Sequence, residues 1–132
     1  MKVKTILLID DNKIDSYITR HLLLKNKIGE IFIIQSSAIE ALRYLDSIRN
    51  DPKHFPDCIF LDIRMPEMDG FEFLDEYVLL PDTIKNKCDI FMLSSSNDQR
   101  DIDRAAHYSY VKRFLMKPLN VDILKMHIQE AG

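Results

Sequence analysis

Five short apolar runs alternate along the chain with segments whose apolar residues recur near helical spacing, and this alternation constrains the fold more than any other feature. The runs are predicted to be strands and lie at residues 4–9, 31–34, 58–62, 89–94 and 113–116. Strands this apolar must be buried on both faces, and parallel strands are joined by crossover helices. The pattern therefore predicts an α/β fold with a doubly wound, five-stranded parallel sheet and helices on both faces.

The intervening segments are predicted to be helices. They cover residues 12–25, 38–46, 71–78 and 98–108, and a last helix follows residue 120. Ser37 and Asn120 are of the residue types that cap helix N-termini. In the first helix, the residues near helical spacing are Ile14, Tyr17, Ile18, His21, Leu22 and Leu24. In the last two helices, the expected inward positions are Ile102, Ala105, Ala106, Ile123, Leu124, Met126 and Ile128.

Composition narrows the class of protein. A chain of 132 residues has the usual size of one domain, and residues 1–132 are expected to form a single domain. The net charge of -3 and the lack of a basic run argue against nucleic-acid binding. The N-terminal apolar run is too short for a signal peptide or a membrane span. Cys58 and Cys88 lack metal-ligand spacing, which is typical of reduced thiols in a cytoplasmic protein.

Charged and hydroxyl side chains follow four of the predicted strands. Asp10 and Asp11 come after the first strand, Asp62 ends the third, Ser94 ends the fourth and Lys117 follows the fifth. In parallel sheets, ligands bind beyond the carboxyl ends of the strands. Three carboxylates and a lysine at that edge suit a hard divalent cation and a phosphoryl group. The sequence therefore predicts a site of this chemistry at the edge.

Each of these residues also has an ordinary structural interpretation. Aspartate after a strand often caps the next helix, which would explain Asp10 and Asp11. Asp62 alone could be a satisfied turn carboxylate, and Lys117 alone could be a plain surface lysine. The functional interpretation depends on finding all of them in order, at the matching ends of the predicted strands.

Four motifs link the chain to a known family. They are Ile9-Asp10-Asp11-Asn12, Leu61-Asp62-Ile63-Arg64-Met65-Pro66-Glu67-Met68-Asp69-Gly70, Met92-Leu93-Ser94-Ser95-Ser96 and Met116-Lys117-Pro118. In these motifs the chain resembles the receiver domain of two-component response regulators, and the resemblance covers essentially the whole sequence. It implies a flavodoxin-like strand order of 2-1-3-4-5, with residues 1–132 as a receiver domain that carries no output domain.

The resemblance also implies a role for each site residue. Asp62 would accept a phosphoryl group from a histidine kinase or a histidine phosphotransfer protein, without turnover of a substrate as in an enzyme. The Mg²⁺ ligands would be Asp11, Asp62, the main-chain carbonyl of Arg64 and, through water, Asp10. Ser94 and Lys117 would bind the phosphoryl oxygens. Ser94 and Phe114 would form a switch that changes a surface for an unidentified downstream protein.

Other functions also fit parts of the sequence. A phosphatase of the haloacid-dehalogenase type needs a second acid two residues after its aspartate, where this chain has Arg64. A calcium loop around Asp11, Asn12 and Asp15 lacks the required glycine and glutamate. A receiver fold that acts as a phosphate-independent interaction module is the main alternative. A homodimer through the last helix is a further hypothesis, since its apolar residues exceed one inner stripe.

Overall fold

The computed structural model describes residues 3–131, with side chains described as far as residue 128. Within that part of the chain there are five strands and six helices. The strands are β1 Thr5–Ile9, β2 Ile31–Gln35, β3 Cys58–Asp62, β4 Asp89–Ser94 and β5 Val111–Met116. The helices are α1 Lys13–Lys25, α2 Ala38–Ser47, α3 Gly70–Tyr77, α4 Asp82–Lys85, α5 Gln99–Ala105 and α6 Val121–Ala131.

All strand pairs in the sheet are parallel, and the strand order is β2-β1-β3-β4-β5. The predicted fold class and strand order are therefore confirmed. The register aligns the carboxyl ends of neighbouring strands, since Ile9 lies beside Leu61, and Ser94 lies beside Met116. The side chains that end or follow these strands consequently meet at one edge of the sheet.

Two core layers cover the two faces of the sheet. On one face, Leu23 of α1 and Leu124 of α6 pack with Leu8 and Phe60. The opposite face is covered by α2, α3 and α5. The residues that represent this second layer are Leu7, Leu45, Ile59, Leu74, Met92 and Ala105. The inner strands β1, β3 and β4 contribute alternate residues to the two layers, which explains why they are apolar along most of their length.

Side-chain caps fix where several helices begin. The Ser37 hydroxyl accepts a hydrogen bond from the Glu40 N–H, and Asn120 Oδ1 accepts one from the Ile123 N–H, so both predicted caps are confirmed. Asn12 caps α1 by accepting from the N–H groups of Ile14 and Asp15. These caps hold each helix start close to the end of the preceding strand.

Some helix residues that were predicted to face the core are exposed in the structure. Ala106 is exposed, because α5 ends at Ala105. Met126 is 62% exposed, whereas Leu124 is fully buried and Ile123 is half-buried. The expected inward positions of Ala106 and Met126 were therefore wrong. The short helix α4 was not predicted, because the proline before it suggested only the end of α3.

Helix α1 turns most of its apolar side chains outward. Ile14 and Tyr17 are 70% and 66% exposed, and Ile18 and Leu24 are also exposed. The residues that α1 buries are Ser16, Thr19 and Leu23. Ile14, Tyr17, Ile18 and Leu24 follow the spacing of one helix face and are called the α1 stripe below.

Gly70 begins α3 where the helix passes very close to the end of β3. A Cβ atom at this position would lie 2.6 Å from the Asp62 carbonyl oxygen and 3.0 Å from Ile63 Cα. Both neighbours are backbone atoms, so they cannot move aside cheaply. This glycine therefore allows α3 to approach the strand that carries Asp62.

We expect Gly70→Ala to destabilise the protein by about 2–3 kcal/mol, because the new methyl group collides with backbone. Urea unfolding followed by circular dichroism measures the change. Lys13→Ala is the control, since Lys13 is exposed at the first position of α1. A Gly70→Ala variant as stable as that control would contradict the close approach.

Candidate functional site

The predicted site residues converge at the carboxyl edge of the sheet. Asp10 follows β1, Asp62 and Ser94 are the last residues of β3 and β4, and Lys117 follows β5. Lys117 is held at the strand end by its own N–H, which donates to the Ser94 carbonyl. The parallel register thus brings together residues that are far apart in sequence.

Three carboxylates form the centre of the site. Asp10, Asp11 and Asp62 each offer an oxygen, and these oxygens lie within 4.8 Å of one another. Asp10 and Asp62 are buried, whereas Asp11 is exposed. Three oxygens from a partly open acidic pocket match the ligands that Mg²⁺ and other hard cations prefer. The residues present therefore fit a divalent cation, with Asp11 on the solvent side.

The ammonium group of Lys117 lies among carboxylates. Its Nζ donates to Asp10 Oδ2 at 2.7 Å and to Asp15 Oδ2 at 2.9 Å, and it lies 3.5 Å from Asp62 Oδ1. From sequence, Asp15 was not predicted to belong to this site. An acid in the first turn of a helix is common because of the helix dipole, so nothing in the sequence marked Asp15 as a lysine partner.

Burial and charge shift the pKa values at the site. Burial, and then the charge of Asp10, raises the pKa of Asp62 to about 6, while Lys117 opposes the rise. Burial acts to lower the pKa of Lys117, but hydrogen bonds to Asp10 and Asp15 and the charge of Asp62 outweigh it and raise that pKa. Lys117 is therefore a permanent cation at neutral pH. In the absence of metal, ionisation of Asp62 lowers the free energy of unfolding of the protein.

The raised pKa of Asp62 predicts that Asp62→Asn changes the stability of the protein by an amount that depends on pH. The pKa of Asp62 is raised on folding from 3.8 to about 6, so its stabilising contribution is present below about pH 4 and is lost as the pH rises through about 6. A shift of this size corresponds to roughly 3 kcal/mol at most. Without metal, we expect Asp62→Asn to exceed wild type in stability by about 2 kcal/mol at about pH 8, and to match it near pH 4.

Urea unfolding in the presence of a chelator measures this difference. Asp46→Asn, which changes an exposed aspartate paired with Arg49, is the control for the loss of a carboxylate elsewhere. The free energies of unfolding of wild type and Asp62→Asn are compared from about pH 4 to pH 8. A constant difference over this range would argue against a destabilising, ionised Asp62.

Ser94 and Phe114 lie in neighbouring strands but have different environments. Ser94 is buried, and its hydroxyl oxygen accepts a hydrogen bond from the Ser96 N–H at 3.1 Å. The hydroxyl hydrogen of Ser94 stays available to donate to a second group. Phe114 is half-buried and packs against the core layer that α2, α3 and α5 cover. Ser94 thus lies at the site edge, whereas Phe114 lies in the core layer that α5 helps to cover.

Arg64 lies two residues after Asp62, and its side chain reaches α5. Its guanidinium Nη2 donates to Asp101 Oδ2 at 2.5 Å. Asp101 is buried in the first turn of α5, although Arg64 is largely exposed. From sequence, Arg64 was predicted to supply a main-chain carbonyl ligand, and its ion pair with Asp101 was not predicted. The loop after β3 and the start of α5 are consequently linked by charge.

Fold and site together define a flavodoxin-like α/β protein with an acidic cluster and a lysine at the carboxyl ends of its strands. The family model for the response regulator receiver domain matches residues 6–129. The chain belongs to this family of two-component signalling proteins.

Individual relatives agree with this assignment. Response regulator Rcp1 from Synechocystis sp. is 31% identical over 127 residues, which cover 93% of this chain and 83% of that protein. A crystal structure of a two-component response regulator from Cytophaga hutchinsonii has 27% identity and a TM-score of 0.91, covering 99% and 98% of the two chains. A Mn²⁺-bound form of Rcp1 has 30% identity and a TM-score of 0.72, covering 94% of this chain and 88% of that one.

Other curated relatives are longer proteins. The match covers about half of the two-component response regulator ORR1 from rice and 5% of probable histidine kinase 5 from rice. The receiver unit is therefore shared with proteins of different overall organisation. Among the residues that the structure describes, no helix is long and apolar enough to cross a membrane.

Proposed function

We propose that the protein is a phospho-accepting receiver in which Asp62 takes a phosphoryl group from a histidine kinase or a histidine phosphotransfer protein. The observation that carries this proposal is the placement of the Asp62 carboxylate 3.5 Å from the Lys117 ammonium and inside the acidic cluster. Residues 1–132 act as one receiver domain. The two buried free cysteines further support a reduced, cytoplasmic setting.

The reaction is a transfer of the phosphoryl group between two side chains. An Asp62 carboxylate oxygen attacks the phosphorus of a phosphohistidine, a P–O bond forms and the P–N bond breaks. The imidazole leaves with its electron pair, and the product is an acyl phosphate. Lys117 binds phosphoryl oxygens as a cation, and the Ser94 hydroxyl donates a hydrogen bond to them. The protein is modified in this step and does not turn over a substrate as an enzyme does.

Asp11, Asp62 and the main-chain carbonyl of Arg64 would hold Mg²⁺, which supplies charge neutralisation for the anionic donor and acceptor. Asp10 would act largely through water. This role suits its hydrogen bonds, because Oδ1 accepts from the Asn12 N–H at 2.9 Å and Oδ2 accepts from Lys117. Both oxygens of Asp10 are thus already used in orienting neighbouring groups.

Phosphorylation is expected to change the surface formed by α5, β5 and α6. The Ser94 hydroxyl moves toward the phosphoryl group, and Phe114 repacks in the space beside it, so charge at Asp62 is converted into a change of shape. Arg64 adds a second link to α5 through Asp101. A downstream protein that binds this surface would read the phosphorylated state.

The α1 stripe supports a helical phosphotransfer partner. Its four exposed apolar side chains lie on the helix that begins beside Asp10 and Asp11. An exposed apolar helix face of this kind fits an amphipathic helix of another protein. A homodimer through α6 has less support. Of the apolar residues predicted to extend beyond one inner stripe of this helix, only Met126 is exposed, and Leu124 belongs to the core.

The proposal is tested by incubating the protein with acetyl phosphate and Mg²⁺, followed by intact-mass measurement. We expect a gain of one phosphoryl group that hydroxylamine removes, as for an acyl phosphate. A chain that stays unmodified under these conditions and with phosphorylated kinases would instead be an interaction module. Continuous hydrolysis of many phosphoesters would indicate a phosphatase.

A further inference from the structure

We propose that Asp15 is a positioning residue for phosphoryl transfer. Its carboxylate holds the Lys117 ammonium at the phosphoryl-binding position beside Asp62. This inference rests on the proposed function, since it concerns how one residue of that site is oriented. It assigns a role to a carboxylate that lies outside the acidic cluster of Asp10, Asp11 and Asp62.

The hydrogen bonds of Lys117 leave one donor free. An ammonium group has three N–H donors, and two of them are engaged by Asp10 at 2.7 Å and Asp15 at 2.9 Å. The remaining contact, 3.5 Å to Asp62 Oδ1, is an ion pair that is too long for a good hydrogen bond. Phosphoryl oxygens attached to Asp62 would enter this space, so the third donor is kept for them.

Asp15 is a well-supported anchor. Its backbone N–H donates to the Asn12 side chain, which caps α1. Its carboxylate is therefore presented from the fixed first turn of a helix, directly after the loop that carries Asp11. Asp10 alone is a less independent anchor, because it also belongs to the cluster that is expected to hold the metal.

A groove beside the lysine explains why a second anchor is needed. An open groove of about 330 Å³ is lined by Asp15, Ile18, Thr19, Ser95, Lys117 and Pro118. Lysine has a long, flexible side chain that loses considerable rotamer freedom when it is fixed. Without Asp15, the ammonium group can turn into this groove and be hydrated there. The pair with Asp15 selects the position near Asp62 before the donor arrives, which is a form of preorganisation.

Rates of phosphorylation by acetyl phosphate, measured over a range of donor concentrations at saturating Mg²⁺, test the inference. We expect Asp15→Ala to lower the maximal rate about tenfold, the size of effect expected when one orienting contact is lost. Mg²⁺ affinity should change less than twofold, because Asp15 is outside the cluster. Asp15→Asn, which keeps an oxygen acceptor, should lie between Asp15→Ala and wild type.

A double-mutant cycle separates positioning from a structural role. In a Lys117→Ala background, adding Asp15→Ala should have no further effect on the rate, because the anchored group is absent. An equal loss in both backgrounds would overturn the inference in favour of a structural role. Glu40→Gln is the charge control, since Glu40 lines a different groove beside Asp10 and its carboxylate accepts a hydrogen bond from Ser36.

The outcomes also distinguish this inference from the proposed function. A wild-type protein that accepts no phosphate refutes the proposed function, and the inference with it. Normal phosphorylation of wild type together with an unchanged maximal rate in Asp15→Ala refutes the inference alone. Circular dichroism and Mg²⁺ titration verify that each variant is folded, and a variant that fails these checks is replaced by Asp15→Asn as the deciding comparison.

Discussion

The Asp62→Asn variant is expected to take up no phosphate from acetyl phosphate, while wild type gains one phosphoryl group. An amide of nearly the same shape keeps the packing at the end of β3, but it removes the anionic oxygen that attacks phosphorus. The loss should be complete within the sensitivity of intact-mass measurement, since the nucleophile itself is removed.

Asp89→Asn is the matched control for this experiment. Asp89 is the first residue of β4, so it lies at the opposite edge of the sheet, where its N–H donates to the Asp57 carbonyl. Its replacement should leave phosphorylation intact. Stoichiometric labelling of Asp62→Asn would show that the acceptor is another group, and peptide mapping would then locate it.

The second large effect is expected from Asp11→Ala, which should weaken Mg²⁺ binding at least tenfold and slow phosphorylation sharply. Asp11 is the exposed member of the cluster, so its removal takes one of three carboxylates from a hard cation and opens the pocket further. Calorimetric titration with Mg²⁺ measures the affinity of each variant directly.

Asp15→Ala provides the comparison for Mg²⁺ binding. Asp15 is a neighbouring acid of the same type, but its carboxylate contacts Lys117 and lies outside the cluster. Mg²⁺ affinity should therefore fall at least tenfold in Asp11→Ala and change less than twofold in Asp15→Ala. Equal Mg²⁺ affinities for Asp11→Ala and wild type would exclude Asp11 as a ligand.

The sheet and the convergence of side chains at its edge were predictable from sequence, for a physical reason. Strands that are apolar on both faces are typical of a helix-covered parallel sheet, and parallel register then aligns the carboxyl ends. Ser37 and Asn120 were likewise predictable as caps, because their hydrogen bonds are local. The fold thus followed from signals that each lie within a short segment.

Contacts made across the sheet edge were not predictable in the same way. The pair of Arg64 with Asp101 and the pair of Lys117 with Asp15 join residues that are distant in sequence. The sequence does not distinguish an acidic residue that pairs with a distant cation from one that does not. Only the folded geometry determines which cation each acid contacts. From sequence, Asp15 was assigned only to a possible calcium loop, although its carboxylate contacts Lys117, which follows β5.

Helix α1 shows a different limit of sequence patterns. Apolar residues near helical spacing predicted the helix correctly, yet the face that packs on the sheet carries Ser16 and Thr19 beside Leu23. A helix can bury small polar residues where it lies close to a strand and expose larger apolar ones. Periodicity therefore locates a helix more securely than it identifies the buried side.

The hydrogen bond between Lys117 and Asp10 spans 107 positions of the chain, and this separation has a consequence for synthesis on the ribosome. The three carboxylates of the cluster are made long before Lys117, which pairs with two of them, Asp10 and Asp62. A nascent chain that ends before β5 carries acids at one edge with no Lys117 beside them, and the sheet lacks its last strand. Docking of β5 therefore completes the hydrogen bonding of β4 and brings Lys117 to the carboxylates of the site, so we expect native structure to be acquired late in translation.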